Sequence, residues 1–271
     1  HRDLHSFPTR RSSDLRYKFD APVSYGLQQL RQTPKSYRAQ SVLTWTTRLT
    51  GAKKQLEFDD YHRNRVELIS LNDGVEELVI ESEGRVEMAD THGIVGPHAG
   101  PAPLWLFARA TPLTQSGRGT RSIVSQISNG EPLDRLHALS ALIKDQIAYE
   151  VGASEPHWTA EEAVAAAKGV CQDHTHVFIT CARIMGFPAR YSSGFLLLDD
   201  REEQEATHAW AEAYVDGLGW VGFDVSNGIS PDERYVRVAT GLDYSDAAPI
   251  RGVRMGNAEE SLSVAVKVAQ Q

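Results

Sequence analysis

The most constraining feature of this sequence is the segment at residues 207–225, THAWAEAYVDGLGWVGFDV, in which two alternating runs flank one turn. Small apolar side chains alternate there with larger, mostly polar ones, which is typical of a strand with one face against a close-packed layer. The small ones are Ala209, Ala211, Ala213 and Val215. We expect His208 and Glu212 on the opposite face, which would then open to a cleft.

The turn between the two runs decides which residues face each other. Gly217 can take a positive φ, and this permits a hairpin that pairs Glu212 with Gly222. In that register His208 lies one diagonal step from Asp224 on the same face, with about 7–8 Å between the Cα atoms. A shift by one residue would place the two side chains on opposite faces. The hairpin therefore allows a histidine–carboxylate pair.

One of the two cysteines, Cys171, stands where a helix is predicted to begin, in the run AKGVCQDHTH at residues 167–176. A helix N-terminus has unpaired backbone N–H groups and a partial positive charge, so it stabilises a thiolate and can bind an oxyanion. Gly169 lets the chain turn into the helix without a Cβ in the way. The position suits a nucleophile, but an ordinary helix start has the same local pattern.

A cysteine nucleophile needs a base, and the base needs a group that orients it. Cys171, His208 and Asp224 follow one another along the chain in that order of roles. A histidine on a strand is commonly structural, and an aspartate at a strand end can be a cap. The three residues together make a catalytic triad possible.

Composition excludes several other functions. The chain has 271 residues, of which 41% are hydrophobic, and 28 Lys and Arg stand against 36 Asp and Glu for a formal charge of −8. The basic residues are scattered, which argues against nucleic-acid binding because phosphates need a basic stripe. No apolar run approaches the roughly 20 residues that span a bilayer, so we expect no membrane partner. The oligomeric state is left open.

The two cysteines, Cys171 and Cys181, do not make a disulfide framework, so a reducing, cytoplasmic location is expected. The first fifteen residues, HRDLHSFPTRRSSDL, have neither an apolar core for a signal peptide nor any strand or helix periodicity. They look like a translated vector or adapter segment, and we predict that residues 1–15 are not native to the fold.

The rest of the chain divides by pattern. Residues 16–100 are predicted to form an antiparallel β-sandwich domain, since alternating runs rich in β-branched residues are separated by turn signals. Residues 101–121 are rich in Gly and Pro and are predicted to be a linker. Residues 122–271 are predicted to form an α+β catalytic domain, with helices first and an antiparallel sheet after them.

Three helices are predicted at the start of this second domain. Residues 132–150 have an amphipathic stripe of leucine and isoleucine. Residues 158–169 open with a capping box of Thr159 and Glu162 and end at a glycine. The third helix is expected at about 171–184.

A metal site is the main alternative reading of the cysteine and histidines in the third helix. At about 100° per residue, His174 lies near Cys171 around the helix but His176 lies far from both, so the three cannot converge on one ion. We expect no metal, with His174 near the cleft and His176 in the core. Cys181 is predicted to be a core residue.

Five sequence blocks resemble the transglutaminase-like superfamily, and in particular its bacterial cysteine-protease-like members with an N-terminal β domain. The resemblance extends over nearly the whole chain outside the first fifteen residues. The blocks, in order, are Gly169 with Cys171, then GFPAR at 186–190, HAWAE at 208–212, Trp220, and Phe223 with Asp224.

The resemblance implies a papain-like α+β core with Cys171 as nucleophile, His208 as general base and acid, and Asp224 orienting the imidazole, without a cofactor. It implies a cysteine peptidase or amidase that acts on peptide or isopeptide amides through a thioester. Tyr149, expected at the end of the first helix, is the candidate for a second oxyanion donor.

Two other functions stay open at this point. A protein-glutamine amine transferase would use the same site and the same thioester, because only the acceptor differs. A non-catalytic binding module would keep the scaffold without the chemistry. The reactivity of the Cys171 thiol separates an enzyme from such a module.

Overall fold

The computed structural model describes residues 7–155, 157–197, 203–204, 207–256 and 258–270. Within them the helices are α1 (Arg118–Val124), α2 (Pro132–Gln146), α3 (Ala160–Ala166), α4 (Cys171–Ile184) and α5 (Tyr244–Ala247), with short 3-10 helices at Leu104–Ala108 and Pro112–Thr114. The strands are β1 (Phe7–Val23), β2 (Tyr25–Thr33), β3 (Gln40–Thr50), β4 (Ala52–Asp59), β5 (Arg65–Leu71), β6 (Val75–Met88), β7 (Ile94–Gly96), β8 (Ala148–Tyr149), β9 (Lys168–Gly169), β10 (Ala189–Leu196), β11 (Glu203–Gln204), β12 (His208–Val215), β13 (Gly219–Phe223), β14 (Tyr235–Gly241), β15 (Ile250–Met255) and β16 (Glu260–Gln270).

The N-terminal strands lie in two antiparallel sheets, with strand orders β11-β16-β1-β6-β3 and β15-β2-β5-β4. Every second side chain of a strand points to the same face, so each sheet can present an apolar face. Apolar side chains from both sheets form one buried cluster, with members that include Leu15, Phe19, Leu30, Ile69 and Ile80. The predicted antiparallel N-terminal strands are confirmed.

The last two strands of the chain belong to these N-terminal sheets. β16 pairs with β1, and β15 pairs with β2. The predicted division at 122–271 places these residues with the C-terminal domain, whereas their backbone hydrogen bonds go to N-terminal strands. Alternation identifies a strand but not its partner, so the pattern alone could not assign them. β1 also includes residues 7–15 of the segment predicted to be non-native.

The C-terminal part combines helices with a third sheet, of order β14-β10-β12-β13-β7, in which all the pairs are antiparallel. The small face of β12 packs against α4, and Ala209, Ala211 and Ala213 share one buried cluster with Val177 and Phe178. Small side chains let the helix approach the sheet closely. The predicted α+β class and the predicted packing of this face are confirmed.

Helix α4 begins at Cys171 and ends at Ile184, as the sequence predicts, and Gly186 follows with φ 92°. Helix α3 has the predicted capping box, in which Thr159 N–H donates to Glu162 Oε2 at 2.7 Å and Glu162 N–H donates to Thr159 Oγ1 at 3.3 Å. It ends earlier than predicted, because Ala167 takes the left-handed conformation with φ 53°.

The prediction that Tyr149 ends the first helix is wrong. Helix α2 stops at Gln146, and Tyr149 lies in β8, which pairs in parallel with β9 so that Tyr149 is opposite Gly169. This pairing joins residues that are distant along the chain. The apolar stripe that defines the helix cannot reveal it.

Two side-chain amides of the N-terminal part cover the outer edge of β14, the last strand of the C-terminal sheet. Gln40 accepts from Arg237 N–H at 2.8 Å and donates to the Arg237 carbonyl at 2.8 Å. Asn64 accepts from Thr240 N–H at 2.9 Å and donates to its carbonyl at 2.7 Å. Each amide replaces the backbone of a missing neighbouring strand, so this edge is closed to other chains.

None of the helices in the described ranges is long and apolar enough to cross a bilayer. The acidic run at residues 199–205, expected to be a solvated turn, lies mostly outside the described residues. Within that run, β11 pairs with β16.

Candidate active site

The hairpin of β12 and β13 has the register that the sequence predicts. Glu212 lies opposite Gly222, and Tyr214 lies opposite Trp220. Gly217 in the turn has φ 83°, in the region that glycine reaches without strain. The even register keeps the side chains of His208 and Asp224 on the same side of the hairpin.

His208 and Asp224 are in direct contact. The distance from His208 Nε2 to Asp224 Oδ2 is 2.6 Å, and the Asp224 side chain is fully buried. Because Nε2–H donates to the carboxylate, Nδ1 is the ring nitrogen left to face a reacting group. A carboxylate that holds an imidazole in this way fixes both its tautomer and its orientation.

Cys171 is the first residue of α4 and is partly exposed. Asp173 caps the helix start, since its Oδ2 accepts from Val170 N–H at 2.7 Å and from Ser154 Oγ at 2.5 Å. A Cβ added to Gly169 would lie 2.7 Å from that same oxygen. Glycine is therefore required there by the close approach of Asp173, which packs against the helix start next to Cys171.

The thiol of Cys171 contacts the imidazole closely enough to influence its protonation. Burial favours the neutral ring, but the hydrogen bond to Asp224 and then the contact with Cys171 outweigh it and raise the pKa of His208 to about 10. Burial also opposes the charge of Asp224, but the hydrogen bond and charge of His208 hold the pKa of Asp224 below its ordinary value. The site thus favours an imidazolium between two acidic groups.

Two contacts to Asp224 are not evident in the sequence. Tyr235 on β14 donates its hydroxyl proton to Asp224 Oδ2 at 2.7 Å, and Asn227 donates from Nδ2 to the same oxygen at 2.6 Å. The Asn227-Gly228 pair after β13 is a recognisable turn signal. Nothing local marks Tyr235, because its strand reaches the site only through pairing with β10.

The loop that follows Asp224 is held by two helices. Lys144 of α2 donates to the Asn227 carbonyl at 2.8 Å. His174 of α4 lies 2.9 Å from Ser226 Oγ through Nδ1 and 3.0 Å from the Ile147 carbonyl through Nε2. His174 therefore supports the floor of the site, close to where the sequence places it.

The expectation that the whole large face of β12 opens to a cleft is wrong. Trp210 and Glu212 are buried, and Glu212 lies between Arg190 and Arg237 with shortest N–O distances of 2.6 and 2.7 Å. The N-terminal part covers this end of the strand. The site is therefore confined to the His208 end.

Tyr149, the candidate oxyanion donor, lies on β8 near Cys171. Its side chain is half-exposed, and its ring centroid is 6.1 Å from that of His174. Burial and then the charge of Cys171 raise the pKa of Tyr149, so its hydroxyl keeps the proton it would donate. Its role stays a prediction.

Two further residues of α4 have the core positions that the sequence predicts. His176 and Cys181 are fully buried in the core, and burial lowers the pKa of His176 to about 3. In the described ranges, no group of three or more His, Cys, Asp or Glu side chains is placed to hold an ion.

Known families match two separate parts of the chain. Residues 121–225 match the model of the transglutaminase-like superfamily, and residues 13–87 match that of the bacterial transglutaminase-like N-terminal region. Cys171, His208 and Asp224 all lie within the first match.

Two mycobacterial proteins are similar in sequence. The chain is 26% identical over 268 residues to uncharacterized protein ML0607 of Mycobacterium leprae. The aligned region covers 94% of this chain and 95% of that protein. It is 34% identical over 137 residues to uncharacterized protein Rv2569c of Mycobacterium tuberculosis. That aligned region covers 47% of this chain and 44% of that protein. The second match thus spans less than half the length of that relative.

Among solved structures, the fold matches the crystal structure of a "putative cysteine protease" from Cytophaga hutchinsonii. The TM-score is 0.80, with 20% sequence identity, over 98% of this chain and 91% of that one. At this identity the match shows a shared fold, which extends over both parts of the molecule.

Proposed function

We propose that this chain, which belongs to the transglutaminase-like superfamily, is a thiol-dependent enzyme that hydrolyses peptide or isopeptide amides through a thioester on Cys171. The observation that carries the proposal is the position of His208. It lies 2.6 Å from a buried carboxylate and in contact with a thiol at the start of a 14-residue helix. These are the three roles that amide cleavage by a thiol requires.

The first step is proton transfer from the Cys171 thiol to His208. The resulting imidazolium donates to Asp224, and its charge stabilises the thiolate beside it. The N-terminal end of α4 adds a partial positive charge next to the sulfur. The nucleophile is therefore prepared before substrate binds.

The thiolate then attacks the carbonyl carbon of the amide, and an S–C bond forms as the carbonyl electrons move to oxygen. The backbone N–H groups at the start of α4 are oriented to bind this oxyanion. Tyr149 is the candidate for the second donor, because its protonated hydroxyl lies on the strand paired with Gly169.

Collapse of this intermediate breaks the C–N bond, and His208 gives its proton to the leaving amine. Water then replaces the amine, His208 removes a proton from it, and the hydroxide attacks the thioester carbonyl. The S–C bond breaks, the acid product leaves, and Cys171 regains its proton. A primary amine in place of water would give amide transfer at the same site.

One finding supports hydrolysis as the first choice. A protein of the same fold bears the name "putative cysteine protease". The buried Asp224 keeps the imidazole oriented for acid and base steps that hydrolysis and amine transfer share, so it supports both.

The test is the pH dependence of Cys171 alkylation by iodoacetamide, followed by peptide mass spectrometry. We expect labelling of Cys171 at pH 6–7, which His208→Ala slows and Cys171→Ala removes. Cys181 serves as the internal control, because this thiol is buried and burial raises its pKa. An ordinary thiol profile near about pH 8.5 would rule out the proposal.

The acceptor is identified by incubating the enzyme with peptide, isopeptide and small-amide libraries, with and without a primary amine. Free acid as the product in both conditions supports hydrolysis. A new amide that dominates when amine is present would assign the chain to amine transfer instead.

A further inference from the structure

We propose that Tyr235 is a positioning residue of this site. Its hydroxyl and the Asn227 amide both donate to the Asp224 oxygen that binds His208. This sharing limits how strongly Asp224 holds the imidazolium. This inference rests on the proposed function, since it concerns the proton that His208 must give to the leaving amine. Tyr235 is buried and its ring packs against the imidazole, so we infer that it acts through Asp224 and His208 and not on substrate.

Three donors meet at one carboxylate oxygen. His208 Nε2, Asn227 Nδ2 and the Tyr235 hydroxyl lie 2.6, 2.6 and 2.7 Å from Asp224 Oδ2. The other oxygen, Oδ1, accepts one longer bond of 3.2 Å from the Asn227 backbone N–H. The carboxylate thus accepts most of its hydrogen bonds at the oxygen that binds the histidine.

Tyr235 is built to act as a donor. Burial and then the negative charge of Asp224 raise its pKa, so the hydroxyl stays protonated and points its proton at the carboxylate. Its ring centroid lies 5.9 Å from that of His208 and 5.5 Å from that of Trp210. The same side chain therefore contacts both partners of the ion pair.

Asn227 donates from Nδ2 to the Tyr235 hydroxyl oxygen at 3.3 Å, but other groups hold its backbone. Lys144 fixes its carbonyl, and the backbone of Gly228 donates to the Asp224 carbonyl at 2.7 Å. A Cβ on Gly228 would lie 2.8 Å from Lys144 Nζ, which shows how closely the lysine packs on this loop. The two donors thus approach Oδ2 from different elements, the loop after β13 and strand β14.

The ionisable groups around the pair come from several elements. Those that face or electrostatically influence His208 and Asp224 are Cys171 and His174 on α4, Tyr149 on β8, Tyr235 on β14, and Lys144 on α2 through Asn227. Among the ionisable groups in the described ranges, Tyr235 is the one whose hydroxyl shares Oδ2 with the imidazolium, together with the Asn227 amide. Their effect on His208 can therefore be separated from that of the thiol.

The consequence concerns the acid step. A carboxylate oxygen that accepts several hydrogen bonds spreads its charge among them, so each donor is bound less strongly. Without the tyrosine proton, Asp224 would hold the imidazolium more tightly and His208 would release its proton less readily. Tyr235 therefore favours departure of the amine.

The experiment is an NMR titration of the His208 ring in the full chain, carried out with Cys171→Ala. This background removes the hydrogen bond and charge of Cys171, which both raise the pKa of His208. We expect Tyr235→Phe to raise the pKa of His208 by about half to one pH unit, and Asn227→Ala to raise it in the same direction.

Incorporation of 3-fluorotyrosine at position 235 should change the pKa of His208 in the opposite direction. A more acidic phenol donates more strongly to Asp224, so the pKa of His208 should fall. A purely structural role for Tyr235 predicts no such reversal between the two replacements. Tyr214→Phe is the matched control, because it removes a tyrosine hydroxyl elsewhere in the sheet, against Trp220, and should leave His208 unchanged.

Kinetics in the Cys171 enzyme complete the test. Tyr235→Phe should lower kcat about tenfold and leave KM within about twofold, because a weaker acid slows departure of the amine. A His208 pKa that stays constant across the Tyr235 and Asn227 variants would overturn the inference. An ordinary thiol profile in the wild type would instead overturn the proposed function, so the two failures are distinguishable.

Discussion

His208 and Glu212 lie on the same strand, β12, and each is paired with an opposite charge, yet the two ends of the strand have different purposes. His208 meets one carboxylate and one thiol, and its side chain keeps some exposure at 13%. Glu212 is fully buried between Arg190 and Arg237, and the Arg190 guanidinium also stacks 3.9 Å from the Trp220 ring.

The difference between the two ends shows that one strand can carry both a candidate site residue and a buried structural ion pair. At the His208 end, the proposed function requires a proton to move between Cys171 and His208. At the Glu212 end each charge is permanently compensated, because Arg190 and Arg237 outweigh burial and lower the pKa of Glu212 to about 2. We therefore expect substitutions at the two ends to affect different properties.

The largest effect is expected for His208→Gln. Turnover should fall by about 10⁴–10⁶-fold, because the base that activates Cys171 is lost. The free energy of unfolding should fall by about 1–3 kcal/mol, because buried Asp224 loses its cation, and by less than for a fully buried pair, because Asn227 and Tyr235 still donate to Asp224. Steady-state kinetics and urea unfolding measure the two quantities, and substantial remaining turnover would remove His208 from its role.

The matched change at the other end is Glu212→Gln. It leaves two buried guanidinium groups without their anion, so we expect a loss of about 3–5 kcal/mol in the free energy of unfolding. Activity per folded molecule should remain. Glu77→Gln, which breaks an exposed pair with Arg16, is the control and should change stability by about 1 kcal/mol or less. Equal free energies of unfolding for Glu212→Gln and Glu77→Gln would contradict the view that the Glu212 end stabilises the fold.

The two ends should also respond to opposite extremes of pH. The pKa of Glu212 is lowered on folding, so its pair contributes stability above about pH 4.5, and this is lost as the pH falls toward about 2. The pKa of His208 is raised, so its pair contributes fully below about pH 6.5 and is lost as the pH rises through about 10.

Urea unfolding over this pH range tests both directions. The stability difference between wild type and Glu212→Gln should shrink on acidification, by at most about 1.4 kcal/mol per pH unit. The difference between wild type and His208→Gln should instead shrink on the alkaline side. A difference that is constant with pH would show that the ion pair is not the source of the stability.

The smallest effect is expected where the N-terminal part covers the β14 edge. Gln40→Met keeps the shape but leaves the buried N–H and C=O of Arg237 without partners, so we expect a loss of about 1–3 kcal/mol. Gln55→Met, at an exposed amide that donates to Ser70, should change stability by about 0.5 kcal/mol or less. Unchanged stability in Gln40→Met would mean that the edge does not need this cover.

Much of the site follows from local sequence. The start of α4 at Cys171 and the register of β12 with β13 agree with the structure. Helical and strand periodicities are set by the backbone itself, and a turn glycine fixes register over a short span. These features need no knowledge of distant residues.

Other features depend on contacts that no local pattern contains. The sequence puts His208 and Glu212 on one face but cannot show that the N-terminal part buries only the second. It gives no sign that β14 brings Tyr235 to Asp224, that Tyr149 pairs with Gly169 in a strand, or that β15 and β16 join the N-terminal sheets.

The sequence alone therefore determined the start of helix α4 at Cys171 and the hairpin that carries His208 and Asp224, because their geometry arises from neighbours along the chain. The tertiary structure alone decided that Glu212 is fully buried between two arginines, whereas His208 stays partly exposed beside Cys171. Strand pairing and burial join residues far apart in sequence, and the same strand pattern is compatible with many partners.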